Sequence, residues 1–184
     1  MTYLIGGTGR SGKSTLRKLL CQKYGISGIS TDRIVQMFAV ALPDFGLNFE
    51  TDWQVGFDKM HELIKALLTH CAETEDFVIE GWQISPSQIK VYQEYSRNNL
   101  KICILGCGEA DWKKKMLDIR GNPSYNEWTD EYDDLKLEEL VKELILTSQK
   151  HKKECEEFGV QYFETSENFV ENIKKAADYL VNSE

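Results

Sequence analysis

A glycine-rich stretch near the start of the chain has the residue types and spacing of a phosphate-binding site. It reads GTGRSGKS over residues 7–14 and follows a short apolar run. Glycines permit backbone angles at which successive N–H groups point into one concavity and hold an anion. Lys13 adds a point charge, and in the pattern G-x-x-x-x-G-K-[ST] the next hydroxyl, here Ser14, contacts Mg²⁺. The stretch therefore predicts a nucleotide-binding loop made of Gly7, Thr8, Gly9, Arg10, Ser11, Gly12, Lys13, Ser14 and Thr15.

A carboxylate and a guanidinium follow the segment SGIS at residues 27–30, as Asp32 and Arg33. A carboxylate there is placed to accept the proton of an acceptor hydroxyl or to hold metal-bound water, and the arginine to bind an anionic group of the acceptor. Residues 30–32 also favour the start of a helix, because Ser, Thr and Asp side chains cap backbone N–H groups. Since the two roles are compatible, Asp32 and Arg33 are predicted to contact the acceptor.

Glu80 ends another apolar segment, FVI at residues 77–79. An unpaired carboxylate is costly to bury, so we expect a cation, a water molecule or a metal ion beside it. Glu80 is the predicted acidic partner of Ser14 at a Mg²⁺ site, or a second candidate for the catalytic base. Gly81 and Trp82 follow directly and are candidates to line the acceptor pocket, although a buried core position is the favoured interpretation of Trp82.

Arginine is scarce, with five residues against seventeen lysines, and three of the five fall where phosphate chemistry needs a planar donor. These are Arg10, Arg33 and Arg120. Arg120 precedes GNPSYNEWTDEYDD, residues 121–134, a stretch with little periodicity. It is either a plain surface loop or a lid. A lid over residues 120–135 would bring Arg120 to the transferring phosphate. The lysines at 113–115 are predicted to form a solvated helix face.

The elements that must position these side chains follow from alternating β-prone and helical patterns. The predicted strands are 2–5, 27–30, 77–80, 100–105 and 160–165, and the predicted helices are 14–24, 32–42, 53–71, 110–119, 136–158 and 168–181, with a further start at Pro86. Strands separated by helices predict an α/β fold with a parallel sheet and helices on both faces. Ligands of such sheets bind outside the carboxyl ends of the strands, where Lys13, Asp32 and Glu80 fall.

Composition narrows the classes of function. The 184 residues, 41% apolar and 28% charged, fit one domain spanning 1–184. The net charge of −8 opposes binding to nucleic acid. No run is long enough to cross a bilayer, and the start lacks a signal peptide, so we expect a cytoplasmic protein with no membrane partner. Five scattered cysteines indicate reduced thiols and lack zinc spacing. The expected partner is a small-molecule acceptor, and the choice between monomer and homodimer stays open.

Two runs carry a resemblance to a known family: IGGTGRSGKSTLRKLLCQKYGISGISTDRI at residues 5–34 and VIEGWQISP at 78–86. They resemble the small P-loop kinases of the nucleoside and shikimate kinase superfamily, in particular 2-phosphoglycerate kinase and zeta-toxin-like kinases. The resemblance implies a three-layer α/β/α fold with a five-stranded parallel sheet in the order 2-3-1-4-5, and a short lid. It also implies ATP and Mg²⁺ as co-substrates, Asp32 as the residue that activates or orients the acceptor, Arg33 as an anion-binding residue and Arg120 as the lid arginine.

Three functions remain open at this level. The favoured one is an ATP-dependent kinase that transfers the γ-phosphoryl group to a hydroxyl of a small metabolite. A nucleoside or nucleotide kinase is the second, although no DGxPR motif follows the third strand. A non-catalytic ATP-binding switch is the third; a GTP-binding switch is disfavoured because GCGE at residues 106–109 stands where N-K-x-D would be expected. The base is either Asp32 or Glu80.

Overall fold

Five short segments form the strands of a parallel sheet. The computed structural model describes residues 1–71, 75–96, 99–122 and 129–182. The strands within these ranges are β1 (Thr2–Gly7), β2 (Ser27–Ser30), β3 (Phe77–Glu80), β4 (Leu100–Gly106) and β5 (Gln161–Glu164). They pair in the order β2-β3-β1-β4-β5, and each pairing is parallel. The predicted strand order is therefore confirmed.

Seven α-helices alternate with the strands in the described ranges, together with 3₁₀ turns at Pro43–Phe45 and Pro86–Gln88. The helices are α1 (Lys13–Tyr24), α2 (Thr31–Ala41), α3 (Trp53–Cys71), α4 (Ile89–Tyr95), α5 (Trp112–Gly121), α6 (Asp134–Phe158) and α7 (Phe169–Asn182). None of the helices in the part of the chain that the structure describes has both the length and the apolar character needed to span a bilayer.

Capping side chains explain where the observed helix starts differ from the predicted ones. α5 begins two residues later than predicted, because the Asp111 carboxylate accepts a hydrogen bond of 2.9 Å from the backbone N–H of Lys114. α6 begins two residues earlier, because Asp133 accepts one of 2.8 Å from the N–H of Lys136. Either carboxylate satisfies a backbone donor that the helix leaves unpaired.

Apolar side chains pack on both faces of the sheet. Along β1 the side chains alternate, so Leu4 faces one layer while Tyr3 and Ile5 face the other. The Leu4 layer is completed by buried residues of α2, α3 and α4: Ile34, Val35, Met60, Ile64, Leu68, Ile89 and Tyr92. The Ile5 layer is completed by residues of α1 and α7: Leu16, Leu20, Ile173, Ala176, Ala177 and Leu180. This arrangement confirms the three-layer α/β/α architecture.

A pair of leucine substitutions tests this assignment of the core. Leu20 on α1 is fully buried, and replacing it by Ala removes buried methyl groups and leaves a cavity. We expect Leu20→Ala to lower the free energy of unfolding, measured in urea, by about 2–5 kcal/mol. The matched control is Leu117→Ala on α5, where the side chain is 73% exposed; its effect should stay below about 0.5 kcal/mol. Equal losses in the two variants would contradict the assignment.

Candidate active site

The loop between β1 and α1 has the backbone conformation that an anion-binding concavity requires. Gly7 has φ 126° and Gly12 has φ 99°, both in the left-handed region. A Cβ at Gly7 would also lie 1.9 Å from the carbonyl oxygen of Leu105 on β4, so only glycine fits there. Left-handed positions let successive N–H groups point into one concavity. The loop ends at the N-terminus of α1, where the helix dipole favours an anion.

Lys13 is the first residue of α1, directly after this loop. Its side chain is buried, and its ammonium donates a hydrogen bond of 2.5 Å to the carbonyl oxygen of Thr8. The Ser11 hydroxyl donates to the same oxygen at 2.8 Å. Burial lowers the pKa of Lys13, while the nearby Glu80 and Asp32 carboxylates oppose that decrease. Lys13 is therefore hydrogen-bonded to the phosphate-binding loop itself, and two carboxylates stabilise its positive charge.

Glu80 lies at the carboxyl end of β3 and is only 2% exposed. Its Oε1 accepts a hydrogen bond of 2.9 Å from the Ser14 hydroxyl and lies 3.5 Å from Nε of Arg17. The expectation that this buried carboxylate has a cationic partner is thus met by Arg17, which the sequence reasoning missed. The available signal was its position one helical turn after Lys13, on α1.

The Ser14–Glu80 pair fits a Mg²⁺ ion in its donor chemistry. Hydroxyl and carboxylate oxygens are the hard ligands that Mg²⁺ prefers, and protein sites for Mg²⁺ commonly supply one or two of them while phosphates and water supply the rest. Within the described ranges, no group of three or more His, Cys, Asp or Glu side chains could hold a metal ion. A Mg²⁺ ion at this pair would therefore depend on a phosphate ligand.

Asp32 lies in the first turn of α2, where its backbone N–H donates to the Ser30 hydroxyl at 3.3 Å. One side of Asp32 is open to solvent. Desolvation by its surroundings nevertheless raises the pKa of Asp32, and Glu80 adds to the rise, while Lys13 and Arg33 oppose it. The structure therefore brings Asp32, Lys13 and Glu80 into one electrostatic group, as the positions of the strand ends predicted.

Arg33 and the residues after β3 border this group. Arg33 is exposed and donates to Gln36 along the outer face of α2, so its contact with an acceptor stays a prediction. Gly81 packs tightly on the start of α2, because a Cβ there would lie 1.9 Å from Oγ1 of Thr31. Trp82 is 37% exposed, so the favoured interpretation, a buried core position, is wrong. A role for Trp82 in the acceptor pocket stays a prediction.

Helix α5 covers another side of the loop. The Arg10 guanidinium donates to the carbonyl oxygens of Ile119 at 3.1 Å and Asn122 at 3.0 Å, at the end of α5. In return, the Lys115 ammonium donates to the carbonyl oxygen of Arg10 at 2.9 Å. The prediction of a solvated face for residues 113–115 is therefore wrong for Lys115, which is half-buried at the rim of the loop. Its position four residues before the buried Ile119 was the available signal.

Arg120 points toward the segment that follows α5. It donates to the carbonyl oxygens of Thr129 at 3.4 Å and Tyr132 at 2.5 Å, and pairs with Asp134 at 3.2 Å. These contacts hold residues 129–134 against α5. Residues 123–128 of the predicted lid, 120–135, lie outside the described residues. Closure of a lid and a catalytic role for Arg120 both stay predictions.

Solved structures of other proteins share this fold with the chain. A shikimate kinase from Bacteroides thetaiotaomicron is 16% identical, with a TM-score of 0.58 and 98% of each chain covered. A gluconokinase from Sinorhizobium meliloti 1021 is 15% identical, with a TM-score of 0.62, covering 97% of this chain and 90% of that one. A shikimate kinase from Acinetobacter baumannii, in complex with shikimate, is 12% identical, with a TM-score of 0.53 and coverage of 98% and 92%.

At these identities the likeness shows the fold. The chain has the fold of small P-loop kinases, as the resemblance in its sequence predicted. No protein-family model and no curated protein sequence matches it.

The environment of Asp32 predicts a dependence of stability on pH. A carboxyl group whose pKa is raised on folding adds stability below its unfolded pKa and loses that contribution as the pH rises through its folded pKa. The uncharged Asn in Asp32→Asn does not titrate. The free energy of unfolding of Asp32→Asn, measured in urea, should therefore rise relative to that of the wild type as the pH increases above about 4, the ordinary pKa of an aspartate.

The control is Asp178→Asn, because Asp178 is exposed and pairs with Lys23 at the surface. This variant should show no such gain. The opposite result, a free energy of unfolding that rises for the wild type relative to Asp32→Asn as the pH increases, would show that folding stabilises the charged form of Asp32.

Proposed function

We propose that the protein is an ATP-dependent kinase that transfers the γ-phosphoryl group of Mg-ATP to a hydroxyl of a small metabolite. The observation that carries the proposal is the meeting of Lys13, the Ser14–Glu80 pair and Asp32 at the carboxyl ends of β1, β2 and β3. Phosphoryl transfer needs cationic groups for the moving phosphate, a metal site and a positioned acceptor. These residues have the chemistry for each.

The nucleotide side of the reaction belongs to the loop at residues 7–15. Its N–H groups and the Lys13 ammonium would hold the phosphates, with Lys13 leaving the Thr8 carbonyl for a phosphate oxygen. Ser14 and Glu80 would hold Mg²⁺. When bound, Mg²⁺ supplies positive charge that neutralises the phosphate oxygens. The Glu80 and Asp32 carboxylates favour the charged form of Lys13 that this role requires.

Asp32 is the better candidate for the base. Glu80 is 2% exposed, and its Oε1 already contacts the Ser14 hydroxyl and the Arg17 guanidinium. Asp32 is open to solvent and its pKa is raised, so its carboxylate is a stronger base than an ordinary aspartate. In this proposal Asp32 accepts the proton of the acceptor hydroxyl, while Glu80 orients Ser14 and the metal site.

The acceptor side supports a small hydroxylated acid. Two of the proteins that share the fold are by name kinases of shikimate and gluconate, which are both hydroxylated acids. Arg33 follows Asp32 and would bind the carboxylate or phosphate of such an acceptor. The exposed ring of Trp82 keeps a nucleoside acceptor as the second candidate, because an exposed indole can stack on a base.

Release of ADP from Mg-ATP tests the proposal. Purified protein would be assayed against phosphorylated glycerates, shikimate, gluconate, nucleosides and nucleoside monophosphates. We expect one class to stimulate ADP release, and Lys13→Ala and Asp32→Ala each to lower kcat/KM by about 100-fold or more. Asp178→Ala is the control and should keep the wild-type rate. Tight binding of ATP with no stimulation by any acceptor would favour the non-catalytic switch.

Lys115 gives a second test of the nucleotide side. Its ammonium lies at the rim of the loop, bonded to the carbonyl oxygen of Arg10, where it would add positive charge near the phosphates. Lys115→Met should weaken Mg-ATP binding about five- to tenfold, as expected for one lost charge-assisted contact.

The matched control is Lys114→Met, because Lys114 is the exposed neighbour on the same helix and its substitution removes the same charge. It should change the affinity less than about twofold. Equal effects of the two substitutions, measured by titration calorimetry, would show that only the net charge of α5 matters.

A further inference from the structure

Ser148, in the middle of α6, is a fully buried serine whose hydroxyl joins three segments of the chain. Its Oγ lies 2.8 Å from Oγ1 of Thr8, accepts a hydrogen bond of 3.0 Å from the backbone N–H of Cys107, and donates one of 2.8 Å to the carbonyl oxygen of Leu144. The Cys107 sulfur is a further neighbour at 3.7 Å. The phosphate-binding loop, the end of β4 and α6 therefore meet at one oxygen atom.

The number of hydrogen bonds that a hydroxyl can donate fixes the direction of the bond between Ser148 and Thr8. A serine hydroxyl has one hydrogen to donate and two lone pairs that accept. With its hydrogen on Leu144, Ser148 accepts from the N–H of Cys107 and from the hydroxyl of Thr8. Every hydrogen-bonding position of this buried oxygen is then used, so its removal leaves two buried donors without a partner.

Thr8 connects Ser148 to the predicted nucleotide site through its hydrogen bonds. Its side chain is 4% exposed and is held by Ser148, while its carbonyl oxygen accepts from Ser11 and Lys13. The same residue thus joins α6 on one side to the loop lysine on the other. α6 also begins at Asp134, the partner of Arg120.

We propose that Ser148 is a positioning residue: through Thr8 it holds the loop at residues 7–12 in the conformation that binds the phosphates of a nucleotide. The proposal rests on the nucleotide-binding function proposed above. It assigns to α6, far along the chain from the loop, a direct part in nucleotide affinity.

Titration calorimetry with Mg-ATP tests the proposal. Ser148→Ala should raise Kd about tenfold, the effect of one lost hydrogen bond on the geometry of the loop. The control is Ser96→Ala, another fully buried serine, whose hydroxyl donates to the carbonyl oxygen of Gln93 at 3.0 Å. Ser96→Ala should lose stability in urea but change Kd less than about twofold. Equal Kd values for the two variants would overturn the proposal.

A double-mutant cycle identifies Thr8 as the link. Thr8→Val keeps the shape of the side chain and removes its hydroxyl. If Ser148 acts through that hydroxyl, the Kd of the double variant Thr8→Val, Ser148→Ala should exceed the Kd of Ser148→Ala by less than about twofold. Additive losses in the cycle would overturn the link. Thr8→Ser keeps the donor and should bind more tightly than Thr8→Val, a comparison that tests the proposal even where Ser148→Ala does not fold.

The outcome for the wild type separates the two proposals. Wild-type binding that Lys13→Ala weakens supports the nucleotide site, whatever Ser148→Ala does. No binding of Mg-ATP to the wild type would overturn the proposed function and this inference with it.

Discussion

The buried ammonium of Lys13 is the constraint on which the site depends. Burying a positive charge is unfavourable unless opposite charges and hydrogen-bond acceptors lie close to it. The Thr8 carbonyl supplies the acceptor, and the Glu80 and Asp32 carboxylates supply the charge. These groups come from β1, β3 and the start of α2, so they meet only if β2, β3 and β1 are neighbours with their carboxyl ends aligned. The parallel order β2-β3-β1 therefore brings the partners of Lys13 to one edge of the sheet.

Much of the fold could be predicted from the sequence because its signals are local. Short β-prone segments separated by amphipathic helices predict parallel strands, and the resemblance to small P-loop kinases implied the strand order that places β1 at the centre. The positions of Asp32 and Glu80 at strand ends followed from the same pattern. The helix starts at α5 and α6 differed by two residues, because a cap depends on one aspartate and its local backbone angles.

Contacts between distant segments could not be predicted in this way. Arg17 was missed as the partner of Glu80, Lys115 as a contact of the loop, and Ser148 as the anchor of Thr8. Each pairing depends on how two helices lie against the loop, and helical periodicity says only which residues share a face. Arg10 is a further case: its role as a phosphate ligand stays a prediction, and the sequence did not indicate that its guanidinium binds the last carbonyl groups of α5.

The place of β1 at the centre of the sheet has a consequence for which parts of the surface tolerate substitution. β1 has β3 and β2 on one side and β4 and β5 on the other. α2 and the residues that follow it lie on the β2 edge, and their exposed apolar side chains, including Met37, Val40 and Phe49, are free to change without disturbing the packing around α1 and α7. The exposed apolar surface beside α2 can therefore differ in shape while the sheet and the helices on its other face keep theirs.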